Sequence, residues 1–275
     1  MNKTHGMMSI TRLIALGFFV LLILSTLFPY WFTSYGPLNL DLRHKLAGPS
    51  AAHWLGTDEY GRDILCRIIY GARNSMLVGL GTALISLVIG VPLGLIAGYY
   101  GGMTDSVIMR IMDAFQSFPS MLLAILLMTV FEPSAESLII TISLVSFPRF
   151  TRLIRGSVLS MKKLEYVEAA KVSGANGWYV MFRSILPNCM SIIITQFSLL
   201  MSTAILIEAS LSFVGFGIQP PEPAWGAMLS YAKKYVAQSF SYIASPTMTI
   251  FFVVMSINSL GDWLGESLDP KRKRR

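Results

Sequence analysis

A helix rises about 1.5 Å per residue, so roughly 20 apolar residues in a row are needed to cross the 30 Å hydrocarbon layer of a bilayer. This sequence reaches that length repeatedly. Residues 13–32 form an almost unbroken apolar run, and residues 75–99 carry no charged side chain. A third run, 107–131, is interrupted by Arg110, Asp113 and Pro119, and a weaker fourth covers 137 to about 153. The fifth covers 189 to about 213, with Glu208 late in it, and the sixth covers 242–264. The expectation is an all-α polytopic membrane protein with six transmembrane helices.

Composition agrees. Only 13% of the 275 residues are charged and 53% are hydrophobic, whereas soluble domains carry about 25% charge. The 22 glycines and 13 prolines are tolerated in membrane helices, where neighbours re-satisfy the backbone. The first run is longer than a signal-peptide core and ends in Pro29, Tyr30, Trp31 and Phe32. That aromatic cluster reads as an interfacial belt on a retained anchor and not as a cleavage site.

Charge sets the orientation. Arg149, Arg152, Arg155, Lys162, Lys163, Lys171 and Arg183 crowd the already basic end of run four and the segment that leads to run five, and five basic residues close the chain at 271–275. The segments facing the other way hold fewer, so both termini are expected in the cytoplasm. The net charge of +7 is thus an orientation signal, with no nucleic-acid partner implied. The basic tail is suited to anionic membrane lipid, at about 1 kcal/mol per charge.

The cytoplasmic loop 157–188 is amphipathic. Helical spacing around Leu164 and Val167 stops at Gly174, Asn176-Gly177 gives a turn, and a second helical stretch from Trp178 to Leu186 runs into Pro187. A helix–turn–helix projecting into the cytoplasm can fill a groove on another protein, or merely connect two spans. Other features are simpler. Gly90, Gly94 and Gly98 share one face of the second run and predict close helix packing. Arg110 and Asp113, three apart, are placed to pair. Glu208 is an intramembrane acid and so a candidate for the pathway or a gate. Gly56-Thr57-Asp58 forms a turn before an amphipathic outer helix, with Ile64, Leu65, Ile68 and Ile69 on one side. Pro220, Pro221 and Pro223 preclude a helix there, and Trp225 is placed to anchor at the surface.

Glu168-Ala169-Ala170, then Gly174, then Leu186-Pro187 resembles the EAA loop of ATP-binding-cassette (ABC) importer permeases, with Ser184 where the pattern has Ile. The string from His53 to Gly79 and the segment from Ile205 to Gly226 are similar to the oligopeptide, dipeptide and nickel branch. The resemblance implies a type I ABC importer permease fold, with residues 1–74 as tail, first helix and outer segment and 75–275 as the permease core. It implies that Glu168, Ala169, Ala170, Gly174, Leu186 and Pro187 couple to ATPase subunits; Glu208, Asp113 and Arg110, by their place in the spans, are either pathway or gate residues or structural partners. It also implies a second homologous permease, two nucleotide-binding ATPase subunits and an extracytoplasmic substrate-binding protein. Di- or oligopeptide is the expected cargo, with nickel or a metal chelate as the alternative.

No GxxxxGK[ST] segment occurs in the sequence, so ATP and Mg2+ belong to the partner ATPase and no cofactor is expected on this chain. His5, His44 and His53 form no HExxH and no metal spacing, which argues against a membrane enzyme. Few charges inside the spans and no clear repeat argue against a secondary transporter. A scaffold or channel is the remaining simple reading.

Overall fold

The computed structural model describes residues 3–268, with side chains from residue 12 onward. The basic tail at 271–275 lies outside the described residues. The helices are α1 Lys3–Leu27, α2 Ile64–Tyr100, α3 Gly102–Gln116, α4 Ser120–Met128, α5 Ala135–Met161, α6 Glu165–Val172, α7 Gly177–Tyr179, α8 Leu186–Val214, α9 Trp225–Ala232 and α10 Phe240–Ser267.

Six spans is a correction. Among the described residues four helices are long and apolar enough to cross a membrane: α2, α5, the continuous Gly177–Val214 and α10. Counting α3 and α4 as one broken span gives five, but the two meet at a 78° bend. Pro119 explains the bend, because it offers no backbone donor and forces the residue before it out of helical geometry. The first run is also shorter than expected. Its apolar helix is Arg12–Leu27, since Pro29 ends it and starts a 3-10 turn.

Two boundaries move the other way. The second span begins at Ile64 and not at Ser75, because Asp63 caps it by accepting the Cys66 N–H at 2.7 Å. The expected separate outer helix is therefore the first three turns of α2. The fourth run gains a firm start, with Ser134 and Ser137 forming a reciprocal capping box, and α5 continues to Met161.

The glycine prediction holds. A Cβ on Gly94 would lie 2.7 Å from both the Ile154 Cβ and the Thr151 carbonyl, and one on Gly98 would lie 2.7 Å from the Val158 Cβ. Gly90 faces Phe150 in the same way. Phe150, Ile154 and Val158 recur every four residues on α5 and are fully buried, so the two helices meet with almost no side chain between them. A second close seam joins α8 to α10, where Gly261 and Gly265 lie over Ser198 and Thr195. Helix α1 runs antiparallel along α10, through Phe18 on Phe252 and Arg12 with Glu266 at 3.1 Å.

The segment before α2 is held by buried charge. Asp58, fully buried, accepts the backbone N–H groups of Tyr60 and Arg62 and the Arg62 Nε at 2.6 Å. Arg67 lies 3.6 Å from the same carboxylate and donates to the Pro37 carbonyl. His53 meets Asp63 at 2.9 Å, and the Tyr242 hydroxyl of α10 donates to Glu59 at 2.6 Å.

Two stability predictions follow from these contacts. Gly94→Ala should destabilise the detergent-solubilised protein by about 1–3 kcal/mol through overpacking. Gly156→Ala, whose Cβ meets nothing within 4 Å, should be neutral or stabilising; equal melting shifts for the two would contradict the seam. Asp58→Ala removes the carboxylate that two buried guanidinium groups share and should cost about 3–5 kcal/mol, read by thermal unfolding.

Candidate functional site

Helix α6 carries Glu168, Ala169 and Ala170. Glu168 and Ala169 are exposed and Ala170 is half-buried, while Val167 on the opposite side is fully buried. The helix ends in a Schellman arrangement. The Ala175 N–H donates to the Ala170 carbonyl at 3.1 Å and the Gly174 N–H to that of Lys171 at 3.0 Å. This turn requires the left-handed conformation, and Gly174 has φ +84°. Asn176 then caps α7 by accepting the Tyr179 N–H at 2.8 Å.

The loop sits on the end of α2. Lys162 Nζ donates to the Tyr99 carbonyl at 2.5 Å, and Lys171 lies 5.7 Å from the Tyr99 ring centre. Gly177 approaches Tyr99 and Tyr100 so closely that a Cβ there would lie 3.1 Å from the Tyr99 ring. Val180, Met181 and Ile185 bury the underside. The outer face is unusually apolar. Val172 is 89% exposed, and Trp178 and Phe182 stack at 5.3 Å while both remain exposed. Partial burial raises the Tyr166 phenol above its ordinary range, so it stays neutral at physiological pH.

Pro187 does not end the second stretch, as had been expected. A π-helical turn, Val180–Ile185, absorbs it, and the Leu186 N–H reaches back five residues to Met181. The wider turn tolerates the missing proline donor. Gly177–Val214 therefore runs as one 38-residue helix. Leu186 is half-buried and Pro187 exposed, on its first turns.

The three expected pathway residues do not form one group. Glu208 is fully buried where α2, α8 and α9 meet. It accepts the Ser212 hydroxyl at 2.8 Å and the Ser75 hydroxyl at 3.2 Å, and Ser75 accepts the Trp225 N–H at 3.3 Å. Trp225 is fully buried, with its indole N–H on the Ile68 carbonyl at 3.0 Å. The surface-anchor expectation for it is corrected, because the small Gly71, Ala224 and Gly226 let α9 pack inward.

Asp113 pairs with Arg152 of α5 and not with Arg110, which is exposed. Asp105 likewise takes Arg155 as a two-pronged pair. Both acids turn toward the basic face of α5 because fork-shaped guanidinium groups meet carboxylates best. Sequence reading missed the region these pairs flank. Beside the α3–α4 bend lies a cavity of about 400 Å³, lined by Gln116, Ser120, Ser146, Arg149, Gln196 and Thr203 among apolar side chains of α5 and α8. The signal was present as amides and a guanidinium inside otherwise apolar runs.

Residues 90–274 match the family described as binding-protein-dependent transport system inner membrane component. The chain is 42% identical over 266 residues to the glutathione transport system permease protein GsiD of Pectobacterium atrosepticum, covering 94% of this chain and 87% of that protein. It is 42% identical over 268 residues to the dipeptide transport system permease protein DppC of Alkalihalophilus pseudofirmus, covering 98% and 85%. The probable D,D-dipeptide transport system permease protein DdpC of Escherichia coli K12 is 40% identical over 252 residues, covering 92% and 85%. The fold is similar to a chain of the MetNI methionine ABC transporter in an inward-facing conformation, with TM-score 0.63, 16% identity and coverage of 74% of this chain and 96% of that one. The chain belongs to the binding-protein-dependent transport system inner membrane components, in the peptide and nickel branch of ABC-importer permeases: it is a multi-pass inner-membrane permease subunit and not an enzyme.

Proposed function

We propose that this permease imports short peptides, coupled to ATPase subunits through the loop that carries Glu168, Ala169, Ala170 and Gly174. The observation that carries the coupling role is the two-sided loop. Its underside is locked into the core by Val167, Val180, Met181 and Ile185, while Val172, Trp178 and Phe182 are left in the open. Apolar and aromatic groups held rigidly at a surface suit a partner's groove. Leu186 and Pro187 join this face to the long helix, so force applied at Trp178 acts on the membrane core. ATP and Mg2+ are held by the partner.

The assembly has this permease, a second one, two ATPase subunits and an extracytoplasmic binding protein. Both termini and the loop face the cytoplasm, as the lysine and arginine distribution favours. The cargo follows the curated relatives, whose names give glutathione and dipeptides. Glu208 serves as a joint among α2, α8 and α9. The Asp113–Arg152 and Asp105–Arg155 pairs tie the bent segment to α5, so that the bend can move when the ATPases close, and Arg110 lies on the same mobile helix.

The test uses the reconstituted complex. Gly174→Ala forces an L residue into a left-handed turn at about 1–2 kcal/mol and should cut peptide-stimulated ATP hydrolysis several-fold. Glu168→Arg should release the ATPase subunits on gel filtration while the permease melts normally. Full stimulation and retention in both variants would sink the coupling assignment.

A further inference from the structure

We propose that the cavity beside the α3–α4 bend is an anion-recognising subsite of the translocation pathway, in which Arg149 takes the free carboxylate of a peptide cargo. The inference rests on the peptide-import reading above and names which part of the cargo the permease grips. Arg149 lies near the middle of α5, about 20 Å along the helix from Ala135 at 1.5 Å per residue. Its side chain is exposed and borders the cavity, where a solvated guanidinium can meet an anion without a desolvated partner of its own.

The other two arginines of this face, Arg152 and Arg155, are neutralised by Asp113 and Asp105. Arg149 has no ion pair among the described residues, and no acid lines its cavity. Gln116 and Gln196 supply amides, and Ser120 and Thr203 hydroxyls, a set that can bond peptide groups as well as a carboxylate. Ser120 opens α4, whose first turn has no side-chain cap, so that end of the wall adds positive potential. The volume of about 400 Å³ is within the range of small-ligand sites, roughly 300–1,000 Å³. A guanidinium amid neutral donors and acceptors selects a zwitterionic or anionic peptide over a cation.

The experiment uses the full transporter in proteoliposomes, with Ser146→Cys as a reporter in the cavity wall. The two native thiols, Cys66 and Cys189, are buried. Thiol modification is timed with a sulfonate-bearing and an ammonium-bearing methanethiosulfonate. The expected ratio favours the anionic reagent and falls about tenfold in Arg149→Gln, the scale of one nearby charge partly screened by solvent. A dipeptide with a free carboxylate should slow modification, and its C-terminal amide should do so far less. Arg149→Gln should erase that difference, and Arg149→Lys should keep it in part.

An unchanged reagent ratio in Arg149→Gln, or equal protection by acid and amide, overturns the assignment. Loss of the second permease from Arg149→Gln, with retention in Arg149→Lys, would place the guanidinium in a subunit contact and likewise overturn it. If no peptide stimulates ATP hydrolysis by the unmodified complex, the import reading itself fails. Stimulation with a reporter indifferent to Arg149 defeats only the subsite.

Discussion

The absence of side chains at Gly90, Gly94 and Gly98 lets α2 and α5 approach until a Cβ would be tight at Gly90 and could not be placed without a shift at Gly94 and Gly98. Inside a bilayer, helices gain little from hiding apolar surface, since lipid is equally apolar; close packing must supply the association. The glycine seam therefore fixes the rotation of α5 as well as its distance. With Phe150, Ile154 and Val158 committed to α2, helical periodicity turns Arg149, Arg152 and Arg155 onto other faces. Position and chemistry in the rest of the bundle follow from that rotation. Two of the three arginines find acids on α3, and the third is left at a recess of mixed polar and apolar lining.

Charge is sorted by the same logic in the segment before α2. Arg62 and Arg67 are almost fully buried, and both meet one oxygen of the fully buried Asp58, whose other oxygen takes backbone N–H groups, while Glu59 lies 3.5 Å from Arg62. The cluster closes the loop segment over the start of α2, and Glu59 extends it to Tyr242 on α10. Glu208 differs in kind. Its donors are hydroxyls, so it joins three helices without recruiting a second buried charge. Replacing it by Gln would keep its shape and both hydroxyl contacts, whereas Ala would leave Ser75 and Ser212 without their acceptor.

Much of this was legible in the sequence, and the failures have physical causes. Apolar runs located α2, α8 and α10, and the four-residue glycine period located the seam, because both signals are local. Gly174 as a helix stop was also readable, since a left-handed residue is a local demand. The count of spans was not. Hydropathy adds up residues regardless of direction, so α3 and α4 read as one run although Pro119 turns them by 78°. Pro187 misled in the opposite sense, because a π turn hides its effect on the helix. Trp225 went inward owing to the small Gly71, Ala224 and Gly226 beside it, a tertiary fact. Partner choice by Asp113 also depended on α5 being rotated toward it.

The continuity of Gly177–Val214 gives the proposed coupling its mechanical form. A helix of 38 residues is about 57 Å long at 1.5 Å per residue. It carries Trp178 near one end, Gln196 and Thr203 at the cavity, and Glu208 toward the other. A flexible connector at Pro187 would dissipate any push on the loop. The π turn instead keeps the backbone bonded while allowing the proline, and Val180, Met181 and Ile185 pack it against the core. Movement of the loop must then tilt or slide the whole helix. The fixed end of that lever is where Gly79 and Gly226 admit it closely against α2 and α9. Displacement is therefore greatest at the loop and falls toward the seams that hold Thr195, Ser198, Met201 and Ile205, so the cavity wall lies where the moving end of the helix meets its held part.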